Sequence, residues 1–190
     1  AAELAATVLL PRPEVIVRHL VLPGVAERDL ASAVTLQVDA LHPYGEDEAA
    51  YAWGRLPANE SVLIGIAQRT AIEQYSRLFV EAGIKIASFT FSAAVLYSAL
   101  RIFGEGPRED FLAFSGGAEV EAYGESKAKP LFSALVEEPV ERTAAWCASE
   151  LRLAPGTELK GIEQILPAPV SAGEDFDPAK AGLSYATALV

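Results

Sequence analysis

The sequence predicts an α+β protein, and three observations carry that prediction. Through residue 89 the local patterns run strand, helix, strand, strand, helix, strand, two crossover units close to a ferredoxin-like arrangement. Beyond Pro107-Arg108-Glu109-Asp110 they change to a meander of short strands followed by a helix. The composition is globular: 51% of the 190 residues are apolar and 22% charged, enough to bury a core and unlike a disordered chain.

The elements follow in chain order. Ala1 to Leu10 reads as weakly helical until Pro11-Arg12-Pro13 breaks it. Glu14 to Leu22 is rich in β-branched residues and reads as a strand, closed by Pro23-Gly24. Asp29 to Leu41 places Leu30, Val34, Val38 and Leu41 on one helical face, and His42-Pro43-Tyr44-Gly45 stops it. Ala49 to Leu56 and Val62 to Ala67 are strands joined by the hairpin-length link Pro57-Ala58-Asn59-Glu60. The next helix is read with Thr70 and Glu73 as a capping box. Its apolar stripe is Ile72, Tyr75, Phe79 and Ala82, and Gly83 takes its left-handed end. Ile84 to Phe89 is a strand. Ser92 to Phe103, closed by Gly104, is apolar enough to be buried on most sides. The meander takes Phe111 to Phe114, Glu119 to Tyr123 and Leu131 to Val136. Pro139 opens a helix with Val140, Ala144, Cys147 and Leu151 on one stripe. Ala154 to Pro178 shows no period, and Leu183 to Val190 is a short apolar close. The domain boundary is expected near Gly104 to Asp110.

Charge and residue usage exclude several classes. The formal charge is −11, which repels a phosphate backbone, so no nucleic-acid partner is expected. A single cysteine forbids an intrachain disulfide and a cysteine zinc site, and fits a reducing compartment. No apolar run reaches the ~18 residues of a membrane helix. The chain has no Met and opens without a turn or cap at Ala1-Ala2-Glu3-Leu4, which reads as a fragment.

Few residues invite chemistry, and no catalytic or metal-binding residue is assigned. His19 in a strand and His42 at a helix end lack any ligand spacing, and read as a strand-face residue and a partner of the helix dipole. Ser115 within Phe114-Ser115-Gly116-Gly117 lacks the G-x-S-x-G elbow and an evident base, so the segment reads as a turn. No phosphate-binding or dinucleotide glycine motif is present, and Glu46-Asp47-Glu48 lacks calcium-loop spacing. Cys147 reads as a small core hydrophobe, and Trp53 and Trp146 as packing residues.

An ordered set of segments carries a resemblance. A strand ends in Leu22-Pro23-Gly24. A helix containing Leu36-Gln37-Val38 follows and closes on Leu41-His42-Pro43-Tyr44. Then come Tyr51-Ala52-Trp53, the strand Val62-Leu63-Ile64-Gly65-Ile66-Ala67, and a helix closing on Glu81-Ala82-Gly83-Ile84. This set resembles the actin-like cytoplasmic proteins of type IV pilus assembly and type II secretion, the PilM and GspL families. Their inserted subdomain is shared with the cell-division protein FtsA. Residues 90–136 resemble the first hairpins of the second actin-like lobe, and Tyr185-Ala186-Thr187-Ala188-Leu189 the closing helix.

The resemblance implies an actin-like, ribonuclease H-like fold. Residues 1–106 would hold part of the first lobe with an α+β insert at about 15–89, and residues 107–190 part of the second. It implies a degenerate phosphate loop at Phe114, Ser115, Gly116 and Gly117. There Phe114, or Ser115 one register on, stands where an Asp would order magnesium. No cofactor is then expected; ATP and Mg²⁺ belong to the alternative of an ATPase whose loops lie outside this chain, and an FtsA-like filament subunit is a further alternative. The implied role is a non-catalytic scaffold, cytoplasmic and peripheral at the inner membrane, with homo-oligomers possible. It would bind the cytoplasmic tail of a bitopic PilN-like partner between the first lobe and the insert. Leu20, Leu22, Leu30 and Val34 are the groove walls this implies; ordinary core is the competing reading of all four.

Overall fold

The computed structural model describes residues 5–45, 47–57, 60–103, 106–116, 119–136, 140–168 and 176–190. Glu46, Ala58, Asn59, Gly104, Gly117 and Pro139, to which the sequence assigns loop and cap roles, lie outside these. The chain divides into two compact units, Ala1–Phe91 and Ser92–Val190. The division falls ahead of the helix at Ser92, where the sequence placed it after.

The first unit holds two sheets. Strands β1 (Ala5–Leu9), β2 (Val15–Val21) and helix α1 (Leu30–Val38) open it, followed by β3 (Ala49–Leu56), β4 (Ser61–Gln68), α2 (Arg69–Glu81) and β5 (Lys85–Thr90). β2, β4 and β3 form an antiparallel sheet with β4 in the centre. The order of elements is the one the sequence predicts, but β5 does not join this sheet. It pairs in parallel with β1 instead. The expected helix over Ala1 to Leu10 is therefore a strand over the described residues Ala5 to Leu9: pairing to β5, continued by Leu10 N–H donating to Thr90 O at 2.9 Å, overrides the helical preference of its alanines.

Helix α1 lies over one face of the antiparallel sheet. Its four-residue spacing puts Leu30, Val34 and Val38 into a cluster with Leu22, Val62, Ile64 and Ile66, and Leu41 packs at the edge. The α-helix ends at Val38, a 3-10 turn carries the chain over Asp39–Leu41, and His42 is extended before Pro43, where the sequence reads the stop. His42 does not serve the helix dipole from the surface. Its side chain is 3% exposed, stacks on Tyr44, and accepts a hydrogen bond from the Tyr44 amide at Nδ1 (3.2 Å).

Helix α2 starts one residue before the Thr70 box. Gln68 leads straight from β4 into Arg69, and no side chain caps the end. Arg69 instead ties the helix start to the chain before β3, donating to Asp47 O (2.8 Å) and Ala49 O (3.1 Å). The far end follows the sequence reading. Gly83 has φ +71°, Ile84 N–H donates to Phe79 O and Gly83 N–H to Val80 O, which together close the last turn. The stripe is shallower than expected: Ile72, Tyr75 and Phe79 are half-buried and Ala82 is exposed.

The second unit runs α3 (Ser92–Ile102), β6 (Phe111–Phe114), β7 (Glu121–Glu125), β8 (Phe132–Leu135), α4 (Val140–Leu151), β9 (Leu159–Gly161), α5 (Ile162–Ile165) and α6 (Pro178–Leu189). The meander is antiparallel as expected, and β9 adds to it in parallel on the far side of β6, giving the order β8-β7-β6-β9. Cys147 and Leu151 of α4 meet Leu112, Ala122 and Phe132 in the core. Trp146, on the other side of α4, is 51% exposed and touches Phe132 edge-on. Phe103 stands past the end of α3 and is exposed, although α3 itself buries Ala93, Val95, Leu96 and Ala99. Asp177 caps α6, accepting from Ala179 N–H at 3.1 Å, with Pro178 in the first turn.

Candidate functional site

The four wall residues read from the sequence fall inside the first unit. Leu22, Leu30 and Val34 are 4, 6 and 0% exposed, and half-buried Leu20 packs against the same cluster. Helix α1 covers this face with its own apolar stripe, so Leu22, Leu30 and Val34 form core and offer no surface to a peptide, and Leu20 packs at its margin.

The opposite face of the sheet differs. Residues directly paired across antiparallel strands share a face, so Ala50 and Ala67 lie together, as do Ala52 and Gly65. These small residues floor a cavity of about 190 Å³. Val15 and Ile72 stand at one side, and Leu10, Phe89 and Phe91 supply the larger apolar surface. Gly65 is required by close approach: a Cβ there would sit 2.2 Å from Phe91 Cε1. β3 is an edge strand, so Ala50 and Ala52 stand beside unpaired backbone. One polar pair lies close in sequence to the groove. Tyr75 Oη donates to Glu14 Oε1 at 3.0 Å; burial, then that bond and the charge of Glu14, hold the Tyr75 phenol above its ordinary pKa. The sequence did carry a signal for this face, in the alternation of Ala50, Ala52 and Gly54 against Gly65 and Ala67.

The hairpin at Phe114 is built for closure. Phe114 packs on the second unit's core. Ser115 is buried: its N–H donates to Glu121 O (2.9 Å) and its Oγ accepts from Glu121 N–H (2.8 Å), which ties β6 to β7. Gly116 lies against α6, where a Cβ would meet Ala179 O at 2.2 Å. The space left beside them, about 20 Å³, has room for about one water. Gly117 lies outside the described residues.

Sequence reading missed two acids here because both sit in a strand that looks half-exposed. Glu121 is buried and accepts from Ser92 Oγ at 2.5 Å, at the start of α3. Glu125 receives both Arg101 guanidinium nitrogens, at 3.1 and 2.6 Å, and the Tyr123 hydroxyl at 2.5 Å. Arg101 also stacks on the Tyr97 ring, 3.4 Å from its centroid. Burial, then the neighbouring Glu125 charge, pushes the Tyr123 phenol well up. This network fastens α3 to β7. Among the described residues no group of three or more His, Cys, Asp or Glu could hold a metal ion, and no helix is long and apolar enough to cross a membrane.

No family model and no curated protein matches the sequence. Solved structures do. A chain of the PilM–PilN type IV pilus biogenesis complex superposes with a TM-score of 0.60 at 18% identity, over 81% of this chain and 48% of that one. The present chain thus spans about half the length of that match. The cytoplasmic domain of EpsL, an inner-membrane component of the type II secretion system of Vibrio cholerae, superposes with a TM-score of 0.58 at 14% identity, over 96% of this chain and 73% of that one. At these identities the likeness is one of fold. The chain carries the actin-like α+β fold of PilM- and GspL-like proteins, as the resemblance implied.

Proposed function

We propose that this chain is a non-catalytic, cytoplasmic scaffold of a type IV pilus or type II secretion platform at the inner membrane. In this reading it receives the cytoplasmic tail of a PilN-like bitopic membrane protein. The observation that supports it is the groove over Ala50, Ala52, Gly65 and Ala67, a shallow apolar surface beside an edge strand, suited to an extended peptide with apolar anchors. The groove uses the opposite side of the sheet from the walls that the resemblance implied. The hairpin of Phe114 and Ser115 supports the non-catalytic half of the reading, since neither side chain is a carboxylate that could order a magnesium ion.

Two titrations test this. A synthetic peptide of the partner's tail should bind the wild-type chain. Ala52→Glu, at an exposed position of β3, should weaken that binding at least tenfold with an unchanged melting temperature. Equal binding by the variant removes the groove from the reading. Titration with Mg·ATP should give no saturable heat, and micromolar binding would favour the ATPase alternative instead.

A further inference from the structure

Strand β3 is an open margin of the first unit's antiparallel sheet. It pairs with β4 at every residue from Ala49 to Leu56 without a bulge, and it contains no proline and no lysine. Natural edge strands are ordinarily blunted by such devices, and a long regular edge left without them is a template for another strand. Tyr51, Ala52, Gly54 and Arg55 are exposed, so this margin meets solvent.

Hydrogen bonding fixes which backbone groups lie open. Arg69 N–H donates to Glu48 O at 2.7 Å, one step beyond the Ala49–Gln68 pair. Bonded pairs alternate along an antiparallel ladder. Ala50, Ala52 and Gly54 therefore commit their N–H and C=O to β4, while Tyr51, Trp53 and Arg55 turn theirs outward. The Ala49 carbonyl turns outward as well, and accepts from Arg69 Nη2 at 3.1 Å. Among the described residues no group bonds to the outward N–H or C=O of Tyr51, Trp53 or Arg55. A row of donors and acceptors at the two-residue repeat of a strand is matched by an extended peptide backbone.

The side chains along this margin state what such a peptide carries. Residues opposite one another across a ladder share a face of the sheet. A peptide residue opposite Ala50, Ala52 or Gly54 thus projects onto the side that holds the groove. Ala50 and Ala52 border the cavity with single methyl groups, and at Gly54 a Cβ would meet nothing within 4 Å. The β3 strand of a second copy fits poorly here: antiparallel pairing about Trp53 sets Ala52 opposite Gly54, small against small, and leaves the cavity unfilled.

We propose that the tail received by the groove adds to β3 as a fourth strand of this sheet. Its backbone bonds to Tyr51, Trp53 and Arg55, and every second side chain is apolar and lies over Ala50, Ala52 and Gly54. This rests on the scaffold reading and adds to it the pairing and the two-residue apolar repeat of the partner.

Calorimetric titration of the whole chain with a capped peptide, Lys-Leu-Thr-Leu-Thr-Leu-Lys, tests the proposal. The probe should bind at one site, and its permutation Lys-Leu-Leu-Leu-Thr-Thr-Lys at least tenfold more weakly. N-methylation removes a backbone donor and keeps the side chain. At a threonine it should lower affinity about tenfold, and at the central leucine it should change nothing, as for an antiparallel strand. Loss at the leucine alone would make the strand parallel and supports the pairing equally. Arg55→Pro deletes an outward donor without removing a bond to β4 and should lower affinity about tenfold, whereas Arg55→Ala keeps the amide and should bind as wild type. The methylated peptides need only the wild-type chain, so they decide should Arg55→Pro lower the melting temperature. Binding that is lost in Ala52→Glu but indifferent to methylation keeps the groove and overturns the added strand. Binding indifferent to both overturns groove and strand together. Equal effects of methylation at threonine and leucine, equal binding of the two permutations, or no binding of the probe would each overturn the proposal, while the tail's own titration still judges the groove.

Discussion

Val34 is where the two readings of the α1 stripe separate. At a groove wall, a glutamate there would abolish peptide binding and spare the fold. With no exposed surface in the cluster of Ile64 and Ile66, it instead buries an unpaired carboxylate. Val34→Glu should therefore cost more than ~4 kcal/mol in urea denaturation. Titrating groups make a second prediction in the alkaline range. Burial raises the Cys147 thiol from near 9 to about 11, and raises the Tyr123 phenol well above 10. Both groups hold their protons more tightly when folded, so the unfolded chain loses protons first as pH rises. Stability should be full below pH 9 and fall from there through pH 11, by about 2–3 kcal/mol for the thiol alone. Denaturant unfolding of wild type and Cys147→Ala from pH 8 upward checks this; the variant should lose the first part of the slope.

The helices show how far pattern alone reaches. α1 and α4 were legible because their stripes meet flat apolar surface, and each stripe residue whose burial is described is at least half-buried. α2 carried an equally regular stripe, yet no residue of it is fully buried. Periodicity reports which side of a helix is apolar, not how deeply that side is covered. Phe79→Ala is accordingly expected to cost about 1–2 kcal/mol, below the ~3–5 kcal/mol of a fully buried phenylalanine, measured as a shift in the urea midpoint. β1 and β9 were missed for a different reason. Each is short and parallel to a strand distant in sequence, Ala5–Leu9 to Lys85–Thr90 and Leu159–Gly161 to Leu112–Phe114. Neither has the local hairpin signal that marks an antiparallel neighbour. The start of α6 is marked in the sequence by Asp177-Pro178, a cap residue followed by a first-turn proline, although the stretch before it has no period.

For the molecule as a whole, the actin-like fold was legible in the order of its segments, while the site was legible only in part. Strand alternation states that Ala50, Ala52, Gly65 and Ala67 share a face. It does not state which face a helix will cover, and that choice turned the expected walls into core and left, on the other face, a cavity that reaches solvent at Ala52 of the edge strand. The placement of β4 has a kinetic counterpart. Its main chain is bonded to β2 on one side and β3 on the other, and Ser61 to Ala67 are buried without a break. Each of its amide protons reaches solvent only when a neighbouring strand detaches from this buried strand, whereas those of the β1–β5 pair escape when two strands fray. In deuterium labelling, β4 should be the last part of the first unit to take up isotope, its rate tracking global unfolding as denaturant is added. The outer amides of β3 should label early in the free chain and slow on addition of a tail peptide, so that one labelling time course would read both the stability of the first unit and the occupancy of its groove.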